Sequence, residues 1–392
     1  MTEWKECTIA DIGTVVGGAT PSTKDPSNYD GGEIAWITPK DLSNYEDRYI
    51  SHGERNITEK GLSGCSAQLM PKHSVLFTSR APIGYVAIAD GEVCTNQGFK
   101  SVVPNKNTDY LFLYYLLRYN KDMIEGLGSG TTFKEVSGST MKGIKVRVPT
   151  TLSAQRAIGE FLDSIDCKIE ENRKINKNLL EQAQSIFTKE FLMFDCIPDG
   201  WQESSLLGIA DYLNGLAMQK YRPKDDEQGL PVLKIKELRQ GSCDFNSELC
   251  SPSIKPEYIV HDGDVIFSWS GSLLVDLWCG GTCGLNQHLF KVTSPTYDKW
   301  FYYAWTNHHL QKFAAIAADM ATTMGHIKRE ELSKAEVLIP SQSDYDRIGG
   351  LLAPLYDLVI ANRIENRKLA SLRDELLPQL MSGQLDVSEV SL

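Results

Sequence analysis

The stretch Asn172-Arg173-Lys174-Ile175-Asn176-Lys177-Asn178-Leu179 returns 190 residues later as Asn362-Arg363-Ile364-Glu365-Asn366-Arg367-Lys368-Leu369. The same offset relates Val75-Leu76-Phe77-Thr78 to Val265-Ile266-Phe267-Ser268, and Thr95-Asn96-Gln97 to Leu285-Asn286-Gln287. Matches this widely spread along 392 residues indicate a duplicated unit of about half the chain and not a short-period solenoid. A duplicated module is expected to bind something that itself has two related halves.

In each copy the repeated stretch lies within a series of residues spaced alternately by four and three, the pattern of a coiled coil. The first seam consists of Ile158, Leu162, Ile165, Ile169, Asn172, Asn176, Leu179, Ala183 and Ile186, and the second of Ile348, Leu352, Leu355, Val359, Asn362, Asn366, Leu369, Arg373 and Leu376. Asparagine in a seam costs stability but fixes register, because a misaligned amide is buried without a hydrogen bond. The matched asparagines favour packing of the two helices on each other; in the alternative, each helix packs only on its own domain.

Each long helix follows a globular part that is rich in short β-like runs and ends at a proline, Pro149 or Pro340. Each globular part also contains one predicted helix, over residues 110–119 in the first and 300–313 in the second. We predict an α+β fold in which two similar globular domains are separated by an antiparallel coiled coil of two long helices, with an internal pseudo-two-fold repeat. The predicted domains are residues 1–150 and 196–340, the helices 151–195 and 341–385, and the C-terminal tail 386–392. About 35 helical residues at 1.5 Å each give a rod of roughly 50 Å, or roughly 15 base pairs of DNA. Two similar readers at that spacing suit a bipartite DNA site.

Composition is that of a folded protein, with 42% hydrophobic and 23% charged residues. We expect a cytoplasmic protein with no membrane partner, because no apolar run of about 18 residues occurs and the start of the chain lacks a signal-peptide layout. Nine cysteines without disulfide-like spacing fit reduced thiols. The net charge of −11 comes mainly from the second half, whereas residues 1–150 are nearly balanced. Net charge therefore neither supports nor excludes DNA binding, since phosphate contacts act locally.

Several motifs, taken in order, resemble the specificity subunit of type I restriction-modification systems. They are Gly17-Gly18-Ala19-Thr20-Pro21-Ser22-Thr23, Gly32 through Leu42, Thr78-Ser79-Arg80-Ala81-Pro82-Ile83-Gly84-Tyr85, Thr95 through Lys100, Pro149 through Ile158, and Leu376 through Gly383. The resemblance covers essentially the whole chain. It implies a non-catalytic subunit in which each globular domain reads one half-site of double-stranded DNA and the helices set the gap between half-sites.

The same resemblance implies the partners. Two methyltransferase subunits would dock along the helices and use S-adenosylmethionine to methylate adenine, and restriction subunits would use ATP and Mg to cut DNA. This chain would bind no cofactor and no metal itself, and it would hold no catalytic residue.

Candidate DNA contacts lie in polar loops that interrupt apolar strands. Arginine can pair with guanine, and asparagine or glutamine with adenine, whereas lysine and small hydroxyls suit phosphate. In the first domain the candidates are Thr20, Ser22, Thr38, Lys40, Ser79, Arg80, Asn96, Gln97, Lys100, Thr131 and Thr132. In the second they are Lys220, Arg222, Lys234, Lys236, Ser268, Trp269, Ser270, Asn286, Gln287, Thr322 and Thr323. For the two Asn-Gln pairs, capping of the loop backbone is an equally good reading.

Three other interpretations fit parts of the sequence. Cys243, Cys250, Cys279 and Cys283 supply enough thiols for zinc, but their spacing is not that of a zinc ribbon and the first domain has no equivalents, which favours buried free thiols. The chain could be a DNA methyltransferase with a degenerate cofactor site, although it lacks the Asn/Asp-Pro-Pro-aromatic tetrapeptide. It could also be a coiled-coil adaptor that holds two protein ligands.

Overall fold

The computed structural model describes residues 2–130, 134–319 and 328–390. The chain divides into two compact units: unit 1 is Met1–Glu170 with Leu369–Leu392, and unit 2 is Glu171–Lys368. Each unit combines one globular domain with part of the first long helix, Leu152–Phe187, and part of the second, Gln342–Ser382. The α+β class with two similar domains and two long helices, predicted from the repeat, is confirmed.

Unit 1 is built on two sheets and one strand pair within its described residues. Five strands form the first sheet in the order Gly13–Gly17, Lys100–Pro104, Val75–Ser79, Ile83–Ala89 and Tyr49–Ile50. Three form the second, in the order Arg55–Ile57, Ile34–Ile37 and Val93–Thr95, and Trp4–Thr8 pairs with Lys145–Pro149. The helices are Ile9–Ile12, Glu59–Ser63, Tyr110–Tyr119, Lys121–Gly126 and Gly138–Gly143, with 3-10 turns at Pro26–Asn28 and Val387–Glu389.

Unit 2 repeats this plan. The described strands of its first sheet are ordered Asp211–Asn214, Leu289–Thr293, Val265–Ser268 and Leu274–Leu277. The second sheet has the order Leu249–Cys250, Leu230–Leu233, Cys283–Leu285 and Ile259–Val260, and Gln202–Ser205 pairs with Glu336–Ile339. Its helical segments are Thr188–Leu192, Leu206–Ile209, Met218–Lys220, Ile235–Gln240, Pro256–Tyr258, Lys299–His308, Leu310–Asp319 and Arg329–Ser333.

The helix predicted over Trp300–Phe313 is two helices in the structure, separated at His309. The prediction was wrong there because it used only the apolar periodicity, which continues through the break. His309 is buried and its Nε2 lies 2.8 Å from the carbonyl oxygen of Glu336. A contact with a strand far along the chain therefore accompanies the turn. The corresponding helix of unit 1, Tyr110–Tyr119, has the predicted bounds.

The two long helices pair in antiparallel fashion, as the seam asparagines show within unit 2. Asn172 Nδ2 donates to Asn366 Oδ1 at 2.9 Å, and Asn362 Nδ2 donates to Asn176 Oδ1 at 2.9 Å. From Asn172 to Asn176 the partner in the second helix changes from Asn366 to Asn362, so the two helices run in opposite directions. Each amide of the two pairs is thus hydrogen-bonded to its partner across the seam, which is how a polar seam position fixes register. Within the described residues, no helix is both long and apolar enough to cross a membrane.

Burial departs from the predicted seam in both helices, and in the first of them Phe187 is buried whereas the predicted Ile186 is only partly buried. Ile348, Leu352 and Val359 are fully buried, but Tyr356 and Leu377 are buried where the heptad pattern predicted Leu355 and Leu376. A straight α-helix has 3.6 residues per turn, so its buried face drifts from a strict 3.5-residue repeat. The seam therefore moves over by one residue where the second long helix packs on a globular domain and not only on the first helix.

The asparagine pairs provide a stability test. Asn362→Leu removes the donor to Asn176 Oδ1 and leaves a buried acceptor unpaired, which we expect to cost about 1–3 kcal/mol. Combining it with Asn176→Leu replaces both amides by apolar groups and should recover most of that loss. Urea denaturation of the full chain, followed by circular dichroism, measures both. Asn178→Ala, at an exposed position of the first long helix, is the control, and its free energy of unfolding should stay within about 0.5 kcal/mol of that of the unmodified chain. A double variant no more stable than Asn362→Leu would contradict the pairing.

Candidate nucleic-acid interface

In each unit, segments that are distant in sequence meet at a short turn carrying the repeated Asn-Gln pair. We call these the Asn-Gln turns: residues 96–98 in unit 1 and 286–288 in unit 2. The backbone N–H of Asn96 donates to the carbonyl of Ile37 at 3.0 Å, and that of Asn286 to Leu233 at 3.2 Å. The turn thus lies against the end of a parallel strand of the second sheet in both units. The repeat produces the same local assembly twice.

A glycine lets the loop after the first-sheet edge strand lie directly on each turn. A Cβ added to Gly18 would lie 2.1 Å from the carbonyl oxygen of Asn96, and one added to Gly215 would lie 2.2 Å from that of Asn286. The residue after each glycine is hydrogen-bonded to the strand that precedes the turn. The backbone N–H of Ala19 donates to the carbonyl of Thr95 at 2.9 Å, and that of Leu216 donates to the carbonyl of Leu285 at 2.9 Å. Any side chain at either glycine would separate the loop from the turn.

The asparagines of both turns have a structural role. Asn96 Oδ1 accepts the backbone N–H of Gly98 at 2.8 Å, and Asn286 Oδ1 accepts that of His288 at 3.3 Å. A side-chain oxygen that accepts from the residue two positions on closes an Asx turn. Loop capping therefore operates in both copies, while DNA contact by the asparagines stays a prediction.

Hydroxyl groups surround the turn of unit 1. The Thr20 hydroxyl is hydrogen-bonded to the side-chain oxygen of Gln97, and both residues are exposed, as is Ser22. Thr38 is held differently, because its backbone N–H and hydroxyl both donate to Asp41 Oδ2, at 2.7 and 2.6 Å. The exposed pair Thr20 and Gln97 is thus placed to present hydrogen-bonding groups to a ligand at the turn.

The two strand-end serines are buried. Ser79 donates to the carbonyl of Gly98 through both its N–H, at 2.7 Å, and its hydroxyl, at 3.2 Å. Ser268 donates its hydroxyl to the carbonyls of Ser270 and Ser272, at 3.3 and 2.9 Å. These bonds order the loops beside the turns, and DNA contact by either serine stays a prediction.

The basic candidates of unit 1 are held by carboxylates. Glu135 accepts from Arg80 and from Lys100, each at 3.3 Å. Lys40 pairs with Glu54 at 2.6 Å on the open surface. Arg80 precedes the Asn-Gln turn in the sequence and Lys100 follows it, so Glu135 pairs with one basic side chain from each side of the turn. A DNA phosphate or a guanine edge can compete with that carboxylate for the same donors.

In unit 2 a glutamate also pairs with two basic residues, at other positions of the sequence. Glu248 accepts from Lys234 at 2.6 Å and from Arg222 at 3.4 Å. The hydrogen bond from Lys234 lowers the pKa of Glu248. Lys236 pairs with Asp244 at 3.4 Å. One glutamate binding two basic residues therefore recurs in both units, although the positions differ in sequence.

The turn of unit 2 carries larger side chains than that of unit 1. His288 occupies the place of the glycine in the first copy, and its ring nitrogens lie 3.2 Å from the Ser270 hydroxyl and 3.4 Å from Gln287 Nε2. The indole N–H of Trp269 donates to Asn214 Oδ1 at 3.1 Å. These contacts fix the orientation of an aromatic and polar group that has no equivalent in unit 1. The two turns therefore present different chemistry on one backbone plan.

The remaining candidates are placed as follows. Lys220 is exposed at the end of the 3-10 turn Met218–Lys220. Four predicted contacts lie outside the described residues: Thr131, Thr132, Thr322 and Thr323.

Sequence reasoning missed four residues that the structure brings to the turns, namely Glu135, Asn214, Glu248 and His288. Of these, His288 had a signal, because it follows a repeated Asn-Gln pair where the first copy has glycine. The glutamates had none, since their partners are distant in sequence.

The four cysteines of unit 2 considered as zinc ligands form no disulfide bonds. Cys250, Cys279 and Cys283 are buried and Cys243 is partly buried. Burial raises the pKa of Cys279 to about 11, which keeps it a thiol. Within the part of the chain that the structure describes, no group of three or more His, Cys, Asp or Glu side chains is arranged to hold a metal ion.

Comparison with known proteins agrees with the duplication. The family model of the type I restriction modification DNA specificity domain matches residues 1–181 and again residues 198–372. The chain belongs to this family. It is 33% identical over 413 residues to the MjaIX specificity subunit of Methanocaldococcus jannaschii, across 99% of this chain and 95% of that protein. It is 27% identical over 170 residues to the EcoR124I/EcoR124II specificity subunit of Escherichia coli, across 42% of this chain and 41% of that one.

A solved structure shares the fold. The S subunit of a type I restriction-modification system from M. genitalium matches with a TM-score of 0.61 over 97% of this chain and 96% of that one, at 15% identity. Membership of the family makes the chain a specificity subunit and not the enzyme that carries out the chemistry, which sets aside the methyltransferase and adaptor alternatives.

Proposed function

We propose that each globular domain of this specificity subunit reads one half of a bipartite site in double-stranded DNA, through the surface around its Asn-Gln turn. The observation that carries this proposal is a common scaffold that carries different side chains at its turn. Glycine holds the loop on the turn in both units, yet Ser79-Arg80 and Gly98 of unit 1 are replaced in unit 2 by Trp269-Ser270 and His288. Direct readout depends on which side chains reach base edges, so two different half-sites are expected.

We propose the following partners for the specificity subunit. Two methyltransferase subunits dock along the long helices and use S-adenosylmethionine, and restriction subunits supply ATP- and Mg-dependent cleavage. The complex acts on DNA in the cytoplasm, and this chain holds no cofactor of its own. The paired helices, locked in register by their asparagines, set the gap between the half-sites.

The central experiment is to combine this chain with its methyltransferase partner and to map methylated adenines on random DNA. We expect one bipartite sequence with two different half-sites and a fixed gap. Methylation at a continuous site, or at a palindrome with identical half-sites, would contradict the proposal.

Arg80 provides a half-site test. Arg80→Ala should relax recognition at one base of one half-site, at a cost of about 1–3 kcal/mol against the correct base, with the other half-site unaffected. The measurement is binding of the complex to duplexes that vary one base at a time. Lys106→Ala removes the same charge from an exposed position away from the turn and is the control. A uniform loss over all sequences, with a salt slope smaller by about one, would mean that Arg80 contacts phosphate instead.

A further inference from the structure

A cleft of about 430 Å³ opens in unit 2 beside the first turns of the second long helix. Its aromatic lining comes from Trp300, Tyr345 and Tyr356. Gly349 also lines it, and a Cβ added there would lie 3.0 Å from Trp300 Nε1. The volume lies within the range of protein binding sites, and the indole nitrogen sits at the helix surface that borders the cleft.

The indole N–H of Trp300 is an unused donor. Trp300 is 3% exposed, and its Nε1 has no hydrogen-bond acceptor among the residues that the structure describes. The indole N–H of a largely buried tryptophan usually finds an acceptor. Since the ring lines the cleft, an occupant can supply that acceptor.

The rim of the cleft is acidic. Asp298, Asp346 and Asp357 are exposed around it, against one lysine, Lys299. Asp346 and Asp357 lie about three turns apart on one face of the helix. Asp298 accepts from the hydroxyl of Tyr345 at 3.2 Å, and Asp346 accepts from Gln342 Nε2 at 2.8 Å, so both carboxylates keep oxygen lone pairs for a cation. Carboxylates beside aromatic rings repel phosphate and attract a cationic side chain.

The corresponding place in unit 1 is built differently. At the offset of 190 residues, Tyr345 corresponds to Gln155 and Asp346 to Arg156. Gln155 is buried and donates to the carbonyls of Asn107 and Pro149, at 3.3 and 3.1 Å. Arg156 replaces the aspartate and lies 3.8 Å from Asp109, which stands where unit 2 has Lys299. The cleft is therefore a property of one repeat and not of the duplicated plan.

We propose that this cleft receives a basic side chain, arginine or lysine, from one methyltransferase subunit, with a neighbouring backbone carbonyl accepting from Trp300 Nε1. This inference rests on the proposed function, because it names how one partner docks. The two repeats then provide unequal binding sites. The methyltransferase subunit that docks at unit 2 gains an ion pair and a hydrogen bond that the subunit at unit 1 lacks. The two binding steps differ in affinity for that reason.

The test is titration of the methyltransferase subunit into the full-length chain, with stoichiometry from native mass spectrometry. The unmodified chain should bind two subunits with unequal affinity. Asp346→Lys with Asp357→Lys should weaken the tighter step by about tenfold and leave the weaker one unchanged, with the effect reduced at high salt. Glu203→Lys with Asp211→Lys, at exposed positions of unit 2 that do not line the cleft, makes the same change in charge and should leave both steps within about twofold.

Equal affinities for both steps in the unmodified chain, or an unaltered tighter step in the cleft variant, would overturn this inference and leave the proposed function intact. No binding of the methyltransferase subunit by the unmodified chain would overturn both. If the lysine variant does not fold, Asp346→Asn with Asp357→Asn removes the charges without reversing them. A loss of about threefold or more in the tighter step then supports the inference, and no loss rejects it.

Discussion

Arg48→Ala is expected to lower the free energy of unfolding by about 3–5 kcal/mol, because it leaves two partly buried carboxylates without their buried cation. Arg48 is 4% exposed and its guanidinium donates to Glu170 at 2.8 and 3.1 Å, and to Asp163. It also contacts Cys167 Sγ at 3.2 Å. All three partners lie on the first long helix, so Arg48 fastens the globular domain of unit 1 to that helix.

The measurement is urea denaturation of the full chain, followed by circular dichroism. Lys72→Ala is the matched control, since it breaks an exposed ion pair with Asp90 and should cost no more than about 1 kcal/mol. Arg48→Lys should fall between the two, because one ammonium cannot reproduce the forked contacts of a guanidinium. Equal stability of the Arg48→Ala and Lys72→Ala variants would show that the carboxylates find other partners or water.

Lengthening both long helices by one heptad is expected to lengthen the preferred gap between half-sites by about three base pairs, with both half-site sequences unchanged. Seven helical residues add ~10 Å, and DNA rises about 3.4 Å per base pair. The asparagine pairing shows where the insertions must go: sites after Lys174 and after Arg363 face each other within the antiparallel pair. Insertion at facing sites keeps every flanking contact of the two helices in register.

The assay is methylation, by the variant complex, of duplexes that differ only in gap length. Inserting the heptad after Lys174 alone is the control, because it shifts one helix against the other and separates the asparagine pairs. We expect that control to lose specific methylation at every gap length. An unchanged preferred gap in the double insertion would show that the helices do not set it.

Contacts over long sequence distances explain why part of the site escaped sequence reasoning. Nothing in the residues next to Arg48 distinguishes it from an exposed arginine, and its carboxylate partners are 115 and 122 residues away. Glu135 is in the same position, since it meets Arg80 55 residues back along the chain. By contrast, the Asn-Gln turns were found because duplication repeats them, even though the structural and DNA-reading roles of the asparagine could not be separated from the sequence.

Sequence alone determined the duplication, the α+β class and the two long helices. Each depends on local periodicity or on a motif that occurs twice. Tertiary structure decided which asparagines pair across the two helices, which charges meet at Arg48, where the helix ends at His309, and which side chains surround each Asn-Gln turn. It also decided that Tyr345 borders a cleft in one repeat whereas its counterpart Gln155 is buried in the other. These features depend on packing between segments far apart in the chain, and the pattern of neighbouring residues carries no record of such contacts.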